Sequence, residues 1–322
     1  NLCGSRILVE RHQMEYSNYL VYINGDFVPR SDAKLGINDQ GFRLGDLVYD
    51  TERTIDGKVY QLKIHLERFW KSLKYARLDP GMTIDEMEEA TIELARRNDA
   101  VRKPGDDCMI SQIVTRGEAD GRDAAVKPNV VIWPEPLQWL NYANAWRRGT
   151  RVVIPKTRSY TSDQLDPKVK HYSRMNMIIA GHDARDIDPN AMPLMLDMDG
   201  NISEIPGANF FIVTDGVLRT PTDKSCLAGI SRMNALDLAK QLGIPTSEED
   251  LQPYDVYTAD EAFLTGTPRC LQPVSMADNR SIGNGVPGPV TKQLMLAWCE
   301  MAGFDFLKQI DIREKEILAS EG

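Results

Sequence analysis

Apolar and polar positions alternate at the start of the readable chain. Tyr19-Leu-Val-Tyr-Ile23 turns at Asn24-Gly25 into Asp26-Phe-Val28, and the run 47–55 turns at Asp56-Gly57 into 58–62. Period-two runs joined by Asn-Gly or Asp-Gly predict two hairpins. The spacing then lengthens. Leu66, Phe69, Leu73 and Ala76 predict a helix over 65–76, with Arg68 off the apolar stripe. Thr83-Ile-Asp-Glu86 is a capping box opening a helix to about 98, with Ile84, Met87, Ala90 and Leu94 facing inward. Short β-rich runs at 109–115 and 129–133 predict two more strands, and Pro134-Glu-Pro136 is expected to break the second.

The later half mixes both periods. Strands are expected at 150–154, 192–198, 209–213, 217–219 and 260–264, with a type I′ turn at Asp199-Gly200. Met175, Ile178, Ile179 and Ala184 recur at helical spacing after Pro167, and helices are expected over 229–242, ended by Gly243, and 289–302. Mixed strands and helices with hairpins define an α+β fold. A chain of 322 residues suits two domains. They are placed at 19–138 and 150–322, with an arm at 1–18 and a linker at 139–149. The connection 155–168 is long for a compact domain, and such loops are often functional.

Composition narrows the class. Hydrophobic content of 42% and charged content of 26% belong to a globular protein, and a net charge of −9 argues against nucleic acid or an anionic membrane as the main partner. No apolar run is long enough to span a membrane and no signal-peptide pattern opens the chain, so a cytoplasmic protein is expected. Cys3, Cys108, Cys226, Cys270 and Cys299 lack metal spacing, and His12, His65, His171 and His182 form no HExxH pair. Free buried thiols and no metal centre are expected.

Four features could carry chemistry. Lys170 stands just ahead of a helix, and Glu204 follows the hairpin turn at Asp199-Gly200. Leu227-Ala-Gly229-Ile230-Ser231 opens a helix whose first N–H groups suit an anion, and Thr265-Gly266-Thr267 closes a strand. Each has an ordinary alternative: a solvated lysine, a surface glutamate, and caps that glycine and serine supply without a ligand. Their order along one chain needs a common explanation.

From about Tyr22 to about Met301 the chain resembles the class IV, fold-type IV aminotransferases that use pyridoxal phosphate. The resemblance rests on Asp46-Leu-Val-Tyr49-Asp, His65-Leu-Glu-Arg68, Ile113-Val-Thr-Arg116-Gly117, Lys170 with Arg174 and Asn176, Ile202-Ser-Glu204, Gly229-Ile-Ser-Arg232 and Phe263-Leu-Thr-Gly266-Thr267. It implies that Lys170 forms the imine with the cofactor and carries the proton between substrate and cofactor. It implies that Glu204 faces the pyridine nitrogen and that Arg68, Ile230, Ser231 and Thr267 hold the phosphate, with Arg174 close to the cofactor. A guanidinium fork matches a phosphate, so Arg68 suits that place. Tyr49, Arg53, Arg122 and Gly266 would line the substrate pocket. The resemblance also implies a homodimer, and amino-group transfer to a 2-oxo acid such as pyruvate by a ping-pong route through pyridoxamine phosphate.

The subgroup is read from departures. Relatives carry EGxxxN after the pyridine glutamate, and here the turn is Glu204-Ile-Pro-Gly-Ala-Asn209, leaving Gly207 and Asn209 to preserve it. Branched-chain enzymes carry a tyrosine and arginine pair where this chain has Gln112-Ile-Val-Thr, and Thr-Arg116-Gly117 followed at a short distance by Arg122 looks most like the (R)-selective amine transaminases. The histidine those enzymes often carry before the tyrosine motif is absent, with Leu44 near its place. An (R)-amine or D-amino acid is therefore the expected donor. A branched-chain L-amino-acid aminotransferase and a lyase of the aminodeoxychorismate type are the alternatives.

Overall fold

The turns at Asn24-Gly25 and Asp56-Gly57 form as expected, with Asn24 at φ 51° and Asp56 at φ 50° in the left-handed region that Asn and Asp tolerate. The structure, a computed structural model, describes residues 18–103, 105–118 and 127–319. These divide into two units. One holds the described residues up to Leu137 together with Val169–Ser173, and the other holds Gln138–Lys168 and the described residues from Arg174 onward.

The first unit is an antiparallel sheet of β1 (Leu20–Ile23), β2 (Asp26–Pro29), β3 (Leu47–Ile55), β4 (Lys58–Val59), β5 (Cys108–Thr115) and β6 (Asn129–Pro136), in the order β2-β1-β6-β5-β3-β4. The helices Leu62–Ala76 and Ile84–Asn98 pack on it, burying Leu66, Phe69, Leu73, Met87 and Leu94 against Ile110, Val114 and Ile132. The Thr83–Glu86 capping box is present in both directions. Two boundaries differ from expectation. Leu62 begins the helix instead of ending β4. Strand β6 runs through Pro134 to Pro136, because β1 overlaps it only at Val131 and Ile132 and the prolines sit beyond that overlap, where a missing N–H is tolerated.

The second unit is a mixed sheet. Its strands are β7 (Thr150–Val153), β8 (Ala191–Pro193), β9 (Glu204–Ile205), β10 (Ala208–Thr214), β11 (Val217–Thr220), β12 (Thr246–Glu248), β13 (Glu261–Gly266), β14 (Cys270–Ala277) and β15 (Arg280–Ser281). The main path is β12-β11-β10-β13-β14-β7-β8, with β9 on β10 and β15 on β14. Phe210, Ile212, Leu264, Val274, Leu194 and Ile202 form its core, while Phe211 and Phe263 stack at 4.9 Å. Glu261 accepts from the N–H groups of Val290 (2.9 Å) and Thr291 (2.8 Å), fixing the start of the helix Pro289–Ala302.

Residues expected as a linker form the helix Trp139–Arg148 in this unit, which buries Trp139, Tyr142 and Ala143. The helix Met175–Ile187 forms, but its buried face is Ala180, Gly181 and Ala184, and Met175, Ile178 and Ile179 are exposed. The type I′ turn does not form. Gly200 alone takes a positive φ, and the Asp197 carboxylate accepts from the N–H groups of Asp199 and Asn201, each at 2.9 Å, closing the turn from the side. Among the described residues no helix is long and apolar enough to cross a membrane, no cluster could hold a metal, and Cys108, Cys226, Cys270 and Cys299 are free thiols.

Phe210 is fully buried and Tyr254 is exposed. Phe210→Ala should cost about 3–5 kcal/mol, whereas Tyr254→Ala should stay within about 0.5 kcal/mol, measured by denaturant unfolding.

Candidate active site

In the first unit the segment Val169–Ser173 lies beside β3. The Tyr49 N–H donates to the Lys170 carbonyl (3.0 Å), the Lys170 N–H donates to Ser72 Oγ (3.2 Å), and Ser173 Oγ donates to the Gly45 carbonyl (2.9 Å). The lysine backbone is therefore fixed between a strand and a helix. Its Nζ lies 4.6 Å from the centre of the Tyr49 ring, and that ring packs on Tyr172 with centroids 4.1 Å apart. Attraction to the ring face holds the amine over Tyr49.

Beside it on β3, Asp50 is fully buried. Its carboxylate receives Arg68 Nε (2.8 Å) and Nη2 (2.6 Å), shares a hydrogen bond with His65 Nδ1 (2.8 Å), and accepts the Thr51 N–H (2.7 Å). Burial alone would raise the Asp50 pKa, but Arg68 and His65 hold it far below the usual carboxylate range. Burial depresses His65, against the pull of Asp50, and burial of Arg68 is outweighed by Asp50, which keeps the guanidinium firmly charged. With two nitrogens engaged by one carboxylate, the plane and direction of Arg68 are set.

A second buried carboxyl follows on the same strand face. Gln112 Nε2 donates to Glu52 and to Thr91 Oγ1 (3.2 Å). Glu52 Oε2 and Gln112 Oε1 have no hydrogen-bond partner among the described residues. Burial pushes the Glu52 carboxyl well above the usual range, which favours its protonated form. Arg53, expected in the pocket, is engaged elsewhere: Nη2 lies 3.7 Å from Asp107, which also accepts from Thr54 Oγ1 and the Gly57 N–H. The arginine thus braces the β3–β4 turn. Arg122 lies outside the described residues.

The second unit gathers the other expected residues. Glu204, 7% exposed, opens β9, and its Oε2 accepts from the Leu227 N–H (3.0 Å) and Asn209 Nδ2 (3.4 Å). Asn209 also donates to the Leu227 carbonyl (2.8 Å), tying the strand to the loop that enters the helix Ile230–Gln241. Gly229 caps that helix with no side-chain cap, and a Cβ there would sit 2.0 Å from Asn209 Oδ1. Only glycine fits. Gly207 takes φ 82°, which closes the altered turn after Glu204, and a Cβ on Gly266 would come within 3.0 Å of the Gly207 carbonyl. Ile230 and Ser231 are buried in the first turn of the helix, Thr267 is half-buried after Gly266, and Arg174 is the N-cap of the helix Met175–Ile187. Thr265, opposite Asn209 on β13, has a buried hydroxyl with no partner among the described residues.

Sequence reasoning quoted Asp50, His65 and Thr265 inside motifs without giving them a task, and it passed over Glu52 and Tyr172. Asp50 and His65 had a signal in their place next to Tyr49 and Arg68. Thr265 had a signal in its place before Gly266, but not its unpartnered hydroxyl, which depends on a neighbouring strand.

With this geometry in view, the comparisons are direct. Residues 47–277 match the family described as amino-transferase class IV. A Methanocaldococcus jannaschii protein provisionally named as a branched-chain-amino-acid aminotransferase is 36% identical over 85% of this chain and 93% of its own length. The Escherichia coli K12 branched-chain-amino-acid aminotransferase is 29% identical over 86% of this chain and 91% of its own length. The solved structure of an E. coli branched-chain amino acid aminotransferase matches with a TM-score of 0.82 at 28% identity, covering 88% of this chain and 95% of its own. The T.th. enzyme of the same name, solved with pyridoxamine 5′-phosphate, matches at 0.79 and 28%, covering 89% and 95%. The chain belongs to the class IV aminotransferases. It is an enzyme of the transferase class with the fold-type IV, α+β architecture expected from its motifs, and the pyridoxal phosphate expected with that family accords with these relatives. On the amino donor, the relatives are named for branched-chain substrates, the alternative in the sequence reading.

The buried proton on Glu52 has a pH signature. Its folded-state pKa is raised, so its contribution to stability is complete below the ordinary glutamate pKa and is lost as pH rises toward the raised value. Glu52→Gln removes the titration. Its melting temperature should exceed that of the wild type by a margin that widens as pH rises above the ordinary glutamate range. A constant margin would refute the buried proton.

Proposed function

We propose that this chain transfers an amino group from an amino acid to a 2-oxo acid, with Lys170 as the imine-forming lysine of pyridoxal phosphate. The observation that supports it is the Lys170 amine held over Tyr49 beside the Asp50–Arg68 pair. The donor set fits the cofactor. Arg68, the N–H groups of Ile230 and Ser231, and Thr267 suit its phosphate; the buried Glu204 carboxylate suits a protonated pyridine nitrogen; and Thr265 has a hydroxyl to give. When bound, pyridoxal phosphate supplies an aldehyde carbon and a ring that draws electrons from the substrate Cα. The Lys170 amine takes the Cα proton and holds it for return, Asp50 keeps Arg68 aimed, and Asn209 keeps Glu204 in place. Arg174 stays near the cofactor, and Tyr49 and Gly266 border the substrate.

The donor is a branched-chain L-amino acid, the reading supported by the names of the relatives. The (R)-amine or D-amino-acid reading has its own support: Tyr49 and Thr51 share a sheet face with their partners Ile113 and Ser111, and this face offers hydroxyl and apolar surface before Arg53 is reached. A homodimer is proposed on the exposed Met175, Ile178 and Ile179 of one unit and Ile37, Phe42 and Leu44 of the other, apolar groups that a second copy would cover. The acidic net charge and free thiols suit a cytoplasmic enzyme.

The test is the visible absorbance of the cofactor-loaded protein. L-leucine should bleach the band and a 2-oxo acid should restore it, with Lys170→Ala lowering the rate by at least about 100-fold. Bleaching by (R)-1-phenylethylamine or D-alanine and not by L-leucine would transfer the conclusion to the second donor class. Repeated turnover without a 2-oxo acid would overturn transfer in favour of a lyase.

A further inference from the structure

A cavity of about 700 Å³ lies wholly in the second unit, between the helix Trp139–Arg148 and strands β7 and β14. Small-molecule sites run from about 300 to 1,000 Å³, so its size is sufficient. Its lining is unlike the surface of this acidic chain. Arg148, Arg151 and Arg269 contribute to it, and among the described residues that line it there is no aspartate or glutamate. Lys170, Glu204, Ser231 and Thr267 do not line it, so it is not the cofactor site.

The three arginines are not equivalent. Arg151 is paired with Asp188 and reaches Asn279 at 3.2 Å, and Arg148 is exposed. Arg269 has neither compensation. It follows the Gly266–Thr267 turn, where its backbone N–H donates to the Gly266 carbonyl (3.1 Å). Its side-chain Nε is buried without a hydrogen-bond partner, and the guanidinium has no ion pair among the described residues. Burial depresses its pKa, opposed only by the influence of Tyr142, yet an arginine remains protonated at neutral pH. Arg269 is half-buried, and a partly desolvated cation with one unpartnered N–H and no counter-charge favours an anion beside it. Neutral donors and acceptors stand nearby: the Gln272 amide donates to the Thr150 hydroxyl, and Ser275 completes the wall.

The geometry points to an oxyanion site, in which Arg269 pairs with the carboxylate or phosphate of a small ligand seated in this cavity, with Arg148 at its open side. Guanidinium recognises both groups through the same two-pronged contact, so their chemistry is shared.

The experiment uses the cofactor-loaded enzyme, so that the cofactor's own phosphate site is filled. Wild type, Arg269→Leu and Arg269→Gln are melted in buffer free of oxyanions and then with inorganic phosphate or with malonate, and binding is followed by calorimetry. Without anions the variants should melt no lower than the wild type, because each removes a half-buried charge that has no ion pair among the described residues. Phosphate or malonate should raise the melting temperature of the wild type only, and its affinity should fall at least about tenfold in both variants. A response to phosphate alone identifies a phosphate ligand, and a response to malonate alone identifies a carboxylate. Variants that melt lower without anions and respond to them as the wild type does would make Arg269 a structural group. Absence of binding to the wild type, or a change in oligomeric state in the variants, would also overturn the site.

Discussion

The first unit depends on one carboxylate. Asp50 sits with no exposure at the junction of β3 and the helix Leu62–Ala76, and it satisfies Arg68 and His65 together. Remove it and a guanidinium and an imidazole are left buried without a counter-charge, a loss that costs more than the pair itself contributes. Placing both partners one helical turn apart on the same helix lets a single strand residue fix the helix's rotation about its own axis. Lys170 is hung from the same two elements, through Ser72 on the helix and Tyr49 on the strand. The Asp50 contacts therefore set the frame for the amine as well as for Arg68.

The second unit achieves its positioning with backbone space. Asn209 links Glu204 to the loop before the helix Ile230–Gln241, and it can do so only because residue 229 has no side chain. A Cβ on Gly266 would lie 3.0 Å from the Gly207 carbonyl, a looser approach of the same kind. Here glycine, not charge, decides the geometry: the carboxylate and the helix start are brought together where residue 229 presents no Cβ to the Asn209 amide.

Much of this was legible in the sequence. Hairpins at Asn24-Gly25 and Asp56-Gly57, the capping box at Thr83 and the helix after Gly229 follow from local rules, and local rules were enough. The motif order identified the family before any distance was known. What failed was decided by tertiary partners. Pro134 continues a strand because its neighbour ends early, and residues 139–148 are a helix because Trp139 and Tyr142 find a core. Met175, Ile178 and Ile179 look like a core stripe by spacing, yet the small residues Ala180, Gly181 and Ala184 take the inner face. Arg53 shares β3 with Tyr49, and its guanidinium lies 3.7 Å from Asp107, a pairing that position along the strand does not announce.

The anchoring of Lys170 by both its own N–H and its own C=O separates two kinds of motion. Its main chain is a pivot, and the four-carbon arm beyond it swings about that point. Letting go of one partner and reaching for another then requires rotamer changes, which take picoseconds to nanoseconds, and no reordering of the main chain. In the role proposed for it, a lysine on a loose loop would have to find its place again in every cycle, whereas Lys170 starts from a main chain tied at both its N–H and its C=O.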